Sequence, residues 1–374
     1  MYRKKKILVI ASHPESLINF RGHLLNEFIK NNYNVIACAP NAKKDTILEL
    51  SKLGVDYKNI FLIRQGFNPF QDIKSIIILK KIIQREKPQL VLSYTIKPVI
   101  YGSIAAIISR VKNIYSIITG IGYALYGESL TQKIIGKIVR TLYRIILKYN
   151  KKVFFQNPDD LNYFINYNLI SKYTFPVLIN GSGIDLNYYF KCKTVTSPIT
   201  FLLIARLLRE KGIFEFLEAA ERLKKKYPNT YYQIIGWADD SPSTIKPAVF
   251  ENLHNKGIID FLGFKKDVRN FLESTSIYVL PSYREGTPRT VLEAMSMGRP
   301  IITTDAPGCR ETVVDGRNGF LVPIKDPVFL EKTMERFIID SSLIKKMGEE
   351  SRKIAESKYD VNKVNKVIMR EIRI

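Results

Sequence analysis

Cysteine is scarce in this chain of 374 residues. Cys38, Cys192 and Cys309 are odd in number and far apart, which excludes a disulfide scaffold and suits a reducing cytosol. Long hydrophobic runs are missing too: no charge-free stretch reaches the ~18 residues that a membrane span needs. The first apolar run, Ile7–Ala11, is too short for a secretion signal before Ser12, His13 and Pro14 break it. These absences describe a cytosolic chain, soluble or bound to a membrane surface. Acidic residues are outnumbered, 35 against 58 Lys and Arg, for a net charge of +23. Up to Phe190 there are 27 basic and 11 acidic residues; beyond it there are 31 and 24. Nucleic acid, an anionic membrane and phosphorylated substrates all fit such a surface, as does a Lys-rich composition with no charged partner. Apolar residues are plentiful at 46%, enough for packed cores, and a length well above ~150 residues implies two or three domains.

Apolar, β-branched segments alternate with amphipathic ones. Strands are expected at Ile7–Ser12, Asn34–Ala39, Leu90–Tyr94, Ile114–Thr119, Val153–Gln156 and Val177–Asn180, and again at Ile199–Ala205, Tyr231–Gly236, Ile258–Leu262, Ile277–Pro281, Pro300–Thr304 and Phe320–Pro323. Helical spacing joins Leu17, Phe20, Leu24, Leu25, Phe28 and Ile29, and helices are expected at Phe214–Lys226 and Thr290–Met297. Strands buried on both faces and each followed by a helix mean parallel sheets, so two such series mean two doubly wound α/β domains. The polar stretch Lys191–Pro198 is the expected boundary, dividing residues 1–190 from 191–357, with a C-terminal helix over about 358–374 packing back on the first domain. A cleft between two sheet domains is the expected ligand site.

The most informative stretch runs Pro281-Ser-Tyr-Arg-Glu285-Gly-Thr-Pro288-Arg-Thr-Val-Leu-Glu293. A strand ends at Pro281, and Pro288 is placed as the first helical residue with Thr287 as its N-cap. First-turn N–H groups of Arg289 and Thr290 at a strand's carboxyl end would bind phosphate. Glu285 precedes the helix and Glu293 lies inside it, so one acid reaches the helix mouth and the other reaches hydroxyls along it. Solvated surface acids are the plainer alternative, and the order of strand, Gly, Pro, acid and helix weighs against it. Upstream, Arg206 at the end of a strand and Lys211 before Gly212 supply a guanidinium fork and a point charge, a pair suited to a diphosphate.

With these motifs the chain resembles family 4 of the retaining glycosyltransferases, which have the GT-B fold of two Rossmann-like domains facing across a cleft. The resemblance rests on Glu285-x7-Glu293, Arg206-x4-Lys211-Gly212, Asp305-Ala-Pro-Gly-Cys-Arg-Glu311 and Asp315-Gly-x-x-Gly-Phe320. Tyr94-Thr-Ile-Lys97-Pro, Thr119-Gly-Ile-Gly122-Tyr123, Phe155-Gln-Asn157-x-x-Asp160 and Gly181-Ser-Gly-Ile-Asp185 look like the subgroup that builds lipid-linked O-antigen, capsule and N-glycan oligosaccharides in bacteria. The resemblance implies that Arg206 and Lys211 neutralise a donor diphosphate, that Glu285 lies beside the donor sugar, and that Glu293 holds ribose hydroxyls. It also implies that Gly286, Thr287, Pro288, Arg289 and Thr290 line the sugar and phosphates, that Gly236, Gly263 and Phe264 belong to the donor site, and that Ser12–Asn19 is the phosphate-proximal loop. That loop lacks the paired glycines of many relatives. Many relatives also carry a histidine where this chain has Thr119-Gly120, and the only histidines here are His13, His23 and His254. No catalytic histidine carries over.

Metal is not called for. The acid pairs Asp159-Asp160 and Asp239-Asp240 are not spaced as Asp-x-Asp, and cations already serve the leaving diphosphate. The segment Leu130–Lys152 sets Ile134, Ile135, Ile138, Leu142, Ile145, Ile146 and Tyr149 at helical spacing among Lys133, Lys137, Arg140, Arg144, Lys148 and Lys151. It reads either as a surface helix on an anionic leaflet or as a core helix with a solvated basic face; Ile73–Lys87 is a weaker instance. The expectation is therefore a retaining, metal-independent transferase without a cofactor, peripheral on the cytoplasmic face of the inner membrane. It would move a sugar, such as N-acetylgalactosamine from a UDP-sugar, onto a saccharide linked to undecaprenyl diphosphate. A non-hydrolysing nucleotide-sugar epimerase shares the fold, but no acid–base constellation for it is marked. A nucleic-acid-binding protein would fit the charge, yet no binding motif accompanies it. A dinucleotide oxidoreductase would need a Gly-x-Gly-x-x-Gly after the first strand, where Ser12-His-Pro-Glu-Ser stands.

Overall fold

The computed structural model describes residues 5–372 except 65, 67, 123–124, 126–128, 172–173, 240 and 242. Tyr123 and Asp240, named above, lie outside the described residues. The chain forms two compact units, Met1–Ser182 with Asn362–Ile374, and Gly183–Val361.

In the first unit the strands are β1 (Lys6–Ile10), β2 (Asn34–Ala39), β3 (Asp56–Asn59), β4 (Leu90–Tyr94), β5 (Asn113–Ile118), β6 (Lys152–Phe155) and β7 (Phe175–Leu178). They pair in parallel in the order β3-β2-β1-β4-β5-β6-β7. The central strands are apolar without alternation because helices cover both faces; every residue of β4 is buried. The strand β3, Asp-Tyr-Lys-Asn, carries no such run and was not expected from the sequence. It is a polar edge strand with no buried residue, so burial leaves no trace in its composition.

The second unit holds β8 (Thr200–Arg206), β9 (Tyr231–Trp237), β10 (Asp260–Phe261), β11 (Ile277–Leu280), β12 (Ile301–Thr304) and β13 (Gly319–Val322). Their order is β10-β9-β8-β11-β12-β13, again parallel in every pair. Strand order reverses between β8 and β11, and the crevice at the carboxyl ends of two such strands is where doubly wound sheets bind ligands. The two loops that leave these strands are packed tightly against each other. A Cβ on Gly212, whose φ is +71°, would lie 2.0 Å from Pro281 O, so only glycine fits there.

The units divide after Ser182 rather than within Lys191–Pro198. The reason lies in what Gly183–Pro198 touches. Ile184 is fully buried in the second unit's core; its N–H donates to Tyr359 O at 2.7 Å and its carbonyl accepts from Val361 N at 3.0 Å. The buried Arg299 donates from Nη2 to Lys193 O at 2.8 Å and from Nη1 to Thr275 O at 2.9 Å, which ties the polar stretch down. The C-terminal helix Val361–Glu371 buries Val364 and Ile368, with Ile372 beyond it, in the first unit's core, and Lys152 pairs with Glu371 at 2.6 Å.

Candidate active site

Arg206 ends β8, and the one-turn segment Arg209–Lys211 follows it. Both cations already have acidic partners. Arg206 Nη1 donates to Asp239 Oδ2 at 2.8 Å, and Lys211 Nζ to Glu285 Oε1. Glu285 Oε1 also accepts from Ser282 Oγ at 2.8 Å. Each cation is thus held in place by a carboxylate, and the two pairs together carry no net formal charge. Asp239 is shaped to stay ionised. Burial pushes its carboxyl up, but hydrogen bonds from Ser241 N–H, Arg206 and Thr244 together hold it below the ordinary carboxylate value.

The helix Arg289–Ser296 starts one residue later than expected: Pro288 takes the N-cap position in extended conformation, φ −71° and ψ 109°, and Arg289 is the first helical residue. Proline has no N–H to give up there, and no side chain caps this end. The helix is pinned to β8 through Tyr278. Tyr278 OH lies 3.1 Å from Ile204 O and 2.6 Å from Thr290 Oγ1, so Thr290 and the strand that delivers Arg206 share one buried contact. The loop before the helix rests on the segment after β12. Glu285 N donates to Pro307 O at 2.9 Å, and a Cβ on Gly308, with φ +77°, would lie 2.2 Å from Glu285 O. The motif Asp305–Glu311 thereby supports the acid-bearing loop from beneath.

Glu293 is 8% exposed, one turn inside the helix. Its Oε1 accepts from Tyr189 OH at 3.0 Å and from Arg289 Nε at 3.3 Å. Burial pushes the Glu293 carboxyl up, while the Arg289 guanidinium and the Tyr189 hydroxyl pull the other way. Gly236 lies at the end of β9, where its missing side chain leaves room for Ala205 O, 2.3 Å from a hypothetical Cβ; its N–H donates to Gly263 O at 3.0 Å. Phe264 next to it makes an edge contact with Trp237, ring centroids 5.5 Å apart, and both rings are largely exposed.

The second unit thus carries Arg206, Lys211, Gly236, Gly263, Phe264, Glu285, Arg289, Thr290 and Glu293 on loops and ends that follow β8, β9, β10 and β11. Sequence reasoning missed Tyr189, Trp237, Asp239 as the partner of Arg206, and Ser282 as a partner of Glu285. Asp239 was legible only as half of an acid pair. Its distance of 33 residues from Arg206 gives no local signal, whereas parallel pairing of β8 with β9 puts Arg206 beside Trp237.

The first unit holds the other motif residues. Ser12 Oγ and Thr95 Oγ1 are 2.9 Å apart, joining the loops after β1 and β4, where that sheet's order reverses. Lys97 Nζ donates to Asp72 Oδ1 at 2.9 Å in a nearly buried pair. His13 Nδ1 lies 3.1 Å from Glu15 Oε2. Asp160 accepts from Asn157 Nδ2 at 3.0 Å and serves its own helix start, and among the described residues no group of three or more His, Cys, Asp or Glu side chains is disposed to hold a metal ion. The helix Leu130–Ile146 buries Gly136, Val139, Tyr143 and Ile146, while Leu130, Ile134 and Ile145 stay exposed, with Tyr149 beyond its end. No helix among the described residues is long and apolar enough to cross a membrane.

Residues 6–157 match the family model described as glycosyl transferase 4-like, and residues 189–354 match that of glycosyl transferases group 1. The chain is a glycosyltransferase, with a 4-like domain followed by a group 1 domain. Over 312 residues it is 27% identical to the N,N'-diacetylbacillosaminyl-diphospho-undecaprenol alpha-1,3-N-acetylgalactosaminyltransferase of Campylobacter jejuni, covering 80% of each chain. It is 25% identical to an Escherichia coli UDP-Gal:alpha-D-GlcNAc-diphosphoundecaprenol alpha-1,3-galactosyltransferase, over 83% of this chain and 80% of that one. Among solved structures, Anabaena HepE in complex with UDP and glucose superposes with a TM-score of 0.79 at 18% identity, covering 98% of this chain and 99% of that one. At that identity the likeness speaks for the fold, which is GT-B. In this glycosyltransferase the six-stranded unit is the group 1 domain, and Arg206, Lys211, Glu285 and Glu293 all lie within it.

Proposed function

We propose that this glycosyltransferase moves a sugar, with retention at the anomeric carbon, from a UDP-sugar to a saccharide carried on undecaprenyl diphosphate, N-acetylgalactosamine being the sugar of first choice. The observation that carries the reading is that Arg206 and Lys211, at the end of β8 and just after it, and the helix start at Arg289 and Thr290 after β11 lie at the carboxyl ends of adjacent strands, where cations now held by carboxylates can be turned to an anionic ligand. The choice of sugar and acceptor draws on the two relatives above, whose names specify N-acetylgalactosamine or galactose and an undecaprenyl-diphosphate acceptor.

In this reading Arg206 and Lys211 turn from their carboxylates toward the donor diphosphate, and Glu293 accepts from ribose hydroxyls. Gly286, Thr287 and Pro288 line the sugar with Glu285, while Gly236, Gly263 and Phe264 surround the nucleoside. As the bond from C1 to the phosphate oxygen breaks, a bond from C1 to the acceptor oxygen forms on the same face. The acceptor proton passes to the departing phosphate, so no protein base is required and no metal is assigned. The cations stabilise charge that grows only as the bond breaks, which is where stabilisation accelerates a reaction. The acceptor's lipid motivates a second element of the proposal: the enzyme docks on an anionic cytoplasmic leaflet through the exposed side of Leu130–Ile146.

The test is product mass and anomeric configuration after incubation with a panel of UDP-sugars and a synthetic undecaprenyl-diphosphate sugar. An α-linked product from an α-linked donor is expected. An inverted product, or conversion of the donor alone to its C2 epimer, would overturn the reading.

A further inference from the structure

Glu293 is gripped on one oxygen only. Oε1 takes both Tyr189 OH and Arg289 Nε, and Oε2 accepts no hydrogen bond from the described residues. Both donors trace back to one short segment, Gly183–Tyr189, which contains the end of the motif Gly181–Asp185. Arg289 Nη1 donates to Gly183 O at 2.8 Å, which fixes the guanidinium that touches Glu293. Asp185 Oδ1 accepts from Asn187 N at 2.9 Å and Tyr188 N at 3.0 Å, and Tyr189 N donates to Asp185 O at 2.9 Å, so the aspartate caps the turn that delivers Tyr189. At its far end Tyr189 O accepts from Ser296 Oγ at 2.5 Å and from Arg352 Nη1 at 3.1 Å, strapping the turn to the helix that carries Glu293.

We propose that Gly183–Tyr189 is a brace that orients Glu293 so that Oε2 is presented to the ribose hydroxyls, with Tyr189 as the positioning residue. This rests on Glu293 being the ribose-holding acid of the proposed function. A carboxylate with one oxygen saturated by fixed donors has lost its freedom to rotate, and its second oxygen is a preorganised acceptor. The brace also opposes protonation of that acid. Burial and the Asp267 charge push Glu293 up; Arg289 and Tyr189 pull it down. Removing the tyrosine hydroxyl moves protonation to higher pH, and the protonated carboxyl is the weaker acceptor.

The experiment compares UDP with 2′,3′-dideoxy-UDP by calorimetry across about pH 5 to 8, for wild type, Tyr189→Phe and Glu293→Gln. Wild type is expected to prefer UDP by about tenfold or more, the scale of hydrogen bonds to a charged group. Tyr189→Phe should lose most of that preference, raise the donor KM with kcat within about twofold, and weaken UDP binding at a higher pH than wild type does. If Tyr189→Phe weakens both nucleotides equally, or leaves preference and pH profile unchanged while Glu293→Gln abolishes the preference, the brace is wrong and the ribose assignment stands. If wild type and Glu293→Gln treat the two nucleotides alike, the ribose assignment fails and takes the brace with it.

Discussion

At the scale of single residues, the crevice proposed for the donor consists of charges already spoken for. Lys211 sits on Glu285 and Arg206 on Asp239, so each cation is oriented before any diphosphate competes for it. Replacing Lys211 by Ala should lower kcat about a hundredfold, corresponding to ~3 kcal/mol of stabilisation lost as the diphosphate leaves. The partner carboxylate would be stranded, so the check is turnover at saturating donor together with the Lys211→Ala/Glu285→Gln double variant, whose circular dichroism should match wild type. Near wild-type turnover in Lys211→Ala would remove the lysine from the reaction. Addition of EDTA should leave turnover unchanged, and loss of activity restored by Mg²⁺ or Mn²⁺ would refute a mechanism that relies on these cations alone. Donor affinity should also fall as pH drops, because Glu293 has a raised carboxyl and accepts best when ionised. Donor KM measured against pH checks the sign.

At the scale of elements, tight contacts between loops do what no single side chain does. Gly308 lies against Glu285 O and Gly286 O with φ +77°, so Gly308→Ala combines a left-handed strain with a backbone clash. It should cost roughly 1–3 kcal/mol or displace the acid loop, and urea unfolding with donor KM will tell the two apart. In the helix Leu130–Ile146, Leu130, Ile134 and Ile145 fall on one exposed sector at about 100° per residue, with Lys133, Lys137 and Lys148 close by. Arg140 and Arg144 are otherwise engaged, donating to Tyr163 OH at 3.2 Å and to Tyr167 O at 3.0 Å. Replacing only the three lysines by Gln should therefore weaken sedimentation with anionic vesicles, most at low salt, since screening acts within about 8 Å at physiological ionic strength. Transfer to a water-soluble acceptor should be spared. Identical sedimentation of wild type and variant would remove this face from membrane docking.

At the scale of the molecule, the last helix belongs to the core of the first unit although the whole second unit precedes it. Ending the chain at Asp360 would strip Val364, Ile368 and Ile372 from that core and break the Lys152–Glu371 pair. Three buried aliphatic side chains at ~1.5–3 kcal/mol each approach the stability of a whole domain. Limited proteolysis should then cut within residues 5–182 while residues 183–354 resist. Equal resistance of both units would contradict the packing.

The alternation of apolar and amphipathic segments determined the fold class, because a strand covered on both faces must be apolar throughout; β4 and β8 read directly from composition. Motif spacing likewise marked the turns that carry Arg206, Lys211, Glu285 and Glu293, since those turns need Gly212 and Pro288 at set places. Three things were beyond its reach. The edge strand β3 has no buried face to leave a pattern. The division at Ser182 depends on where Ile184 and Arg299 find their partners. The partners of the charged groups, Asp239 for Arg206 and Tyr189 for Glu293, are 33 and 104 residues away in the chain. Side-chain partners across such separations are chosen by sheet order and loop packing, which only the tertiary structure decides.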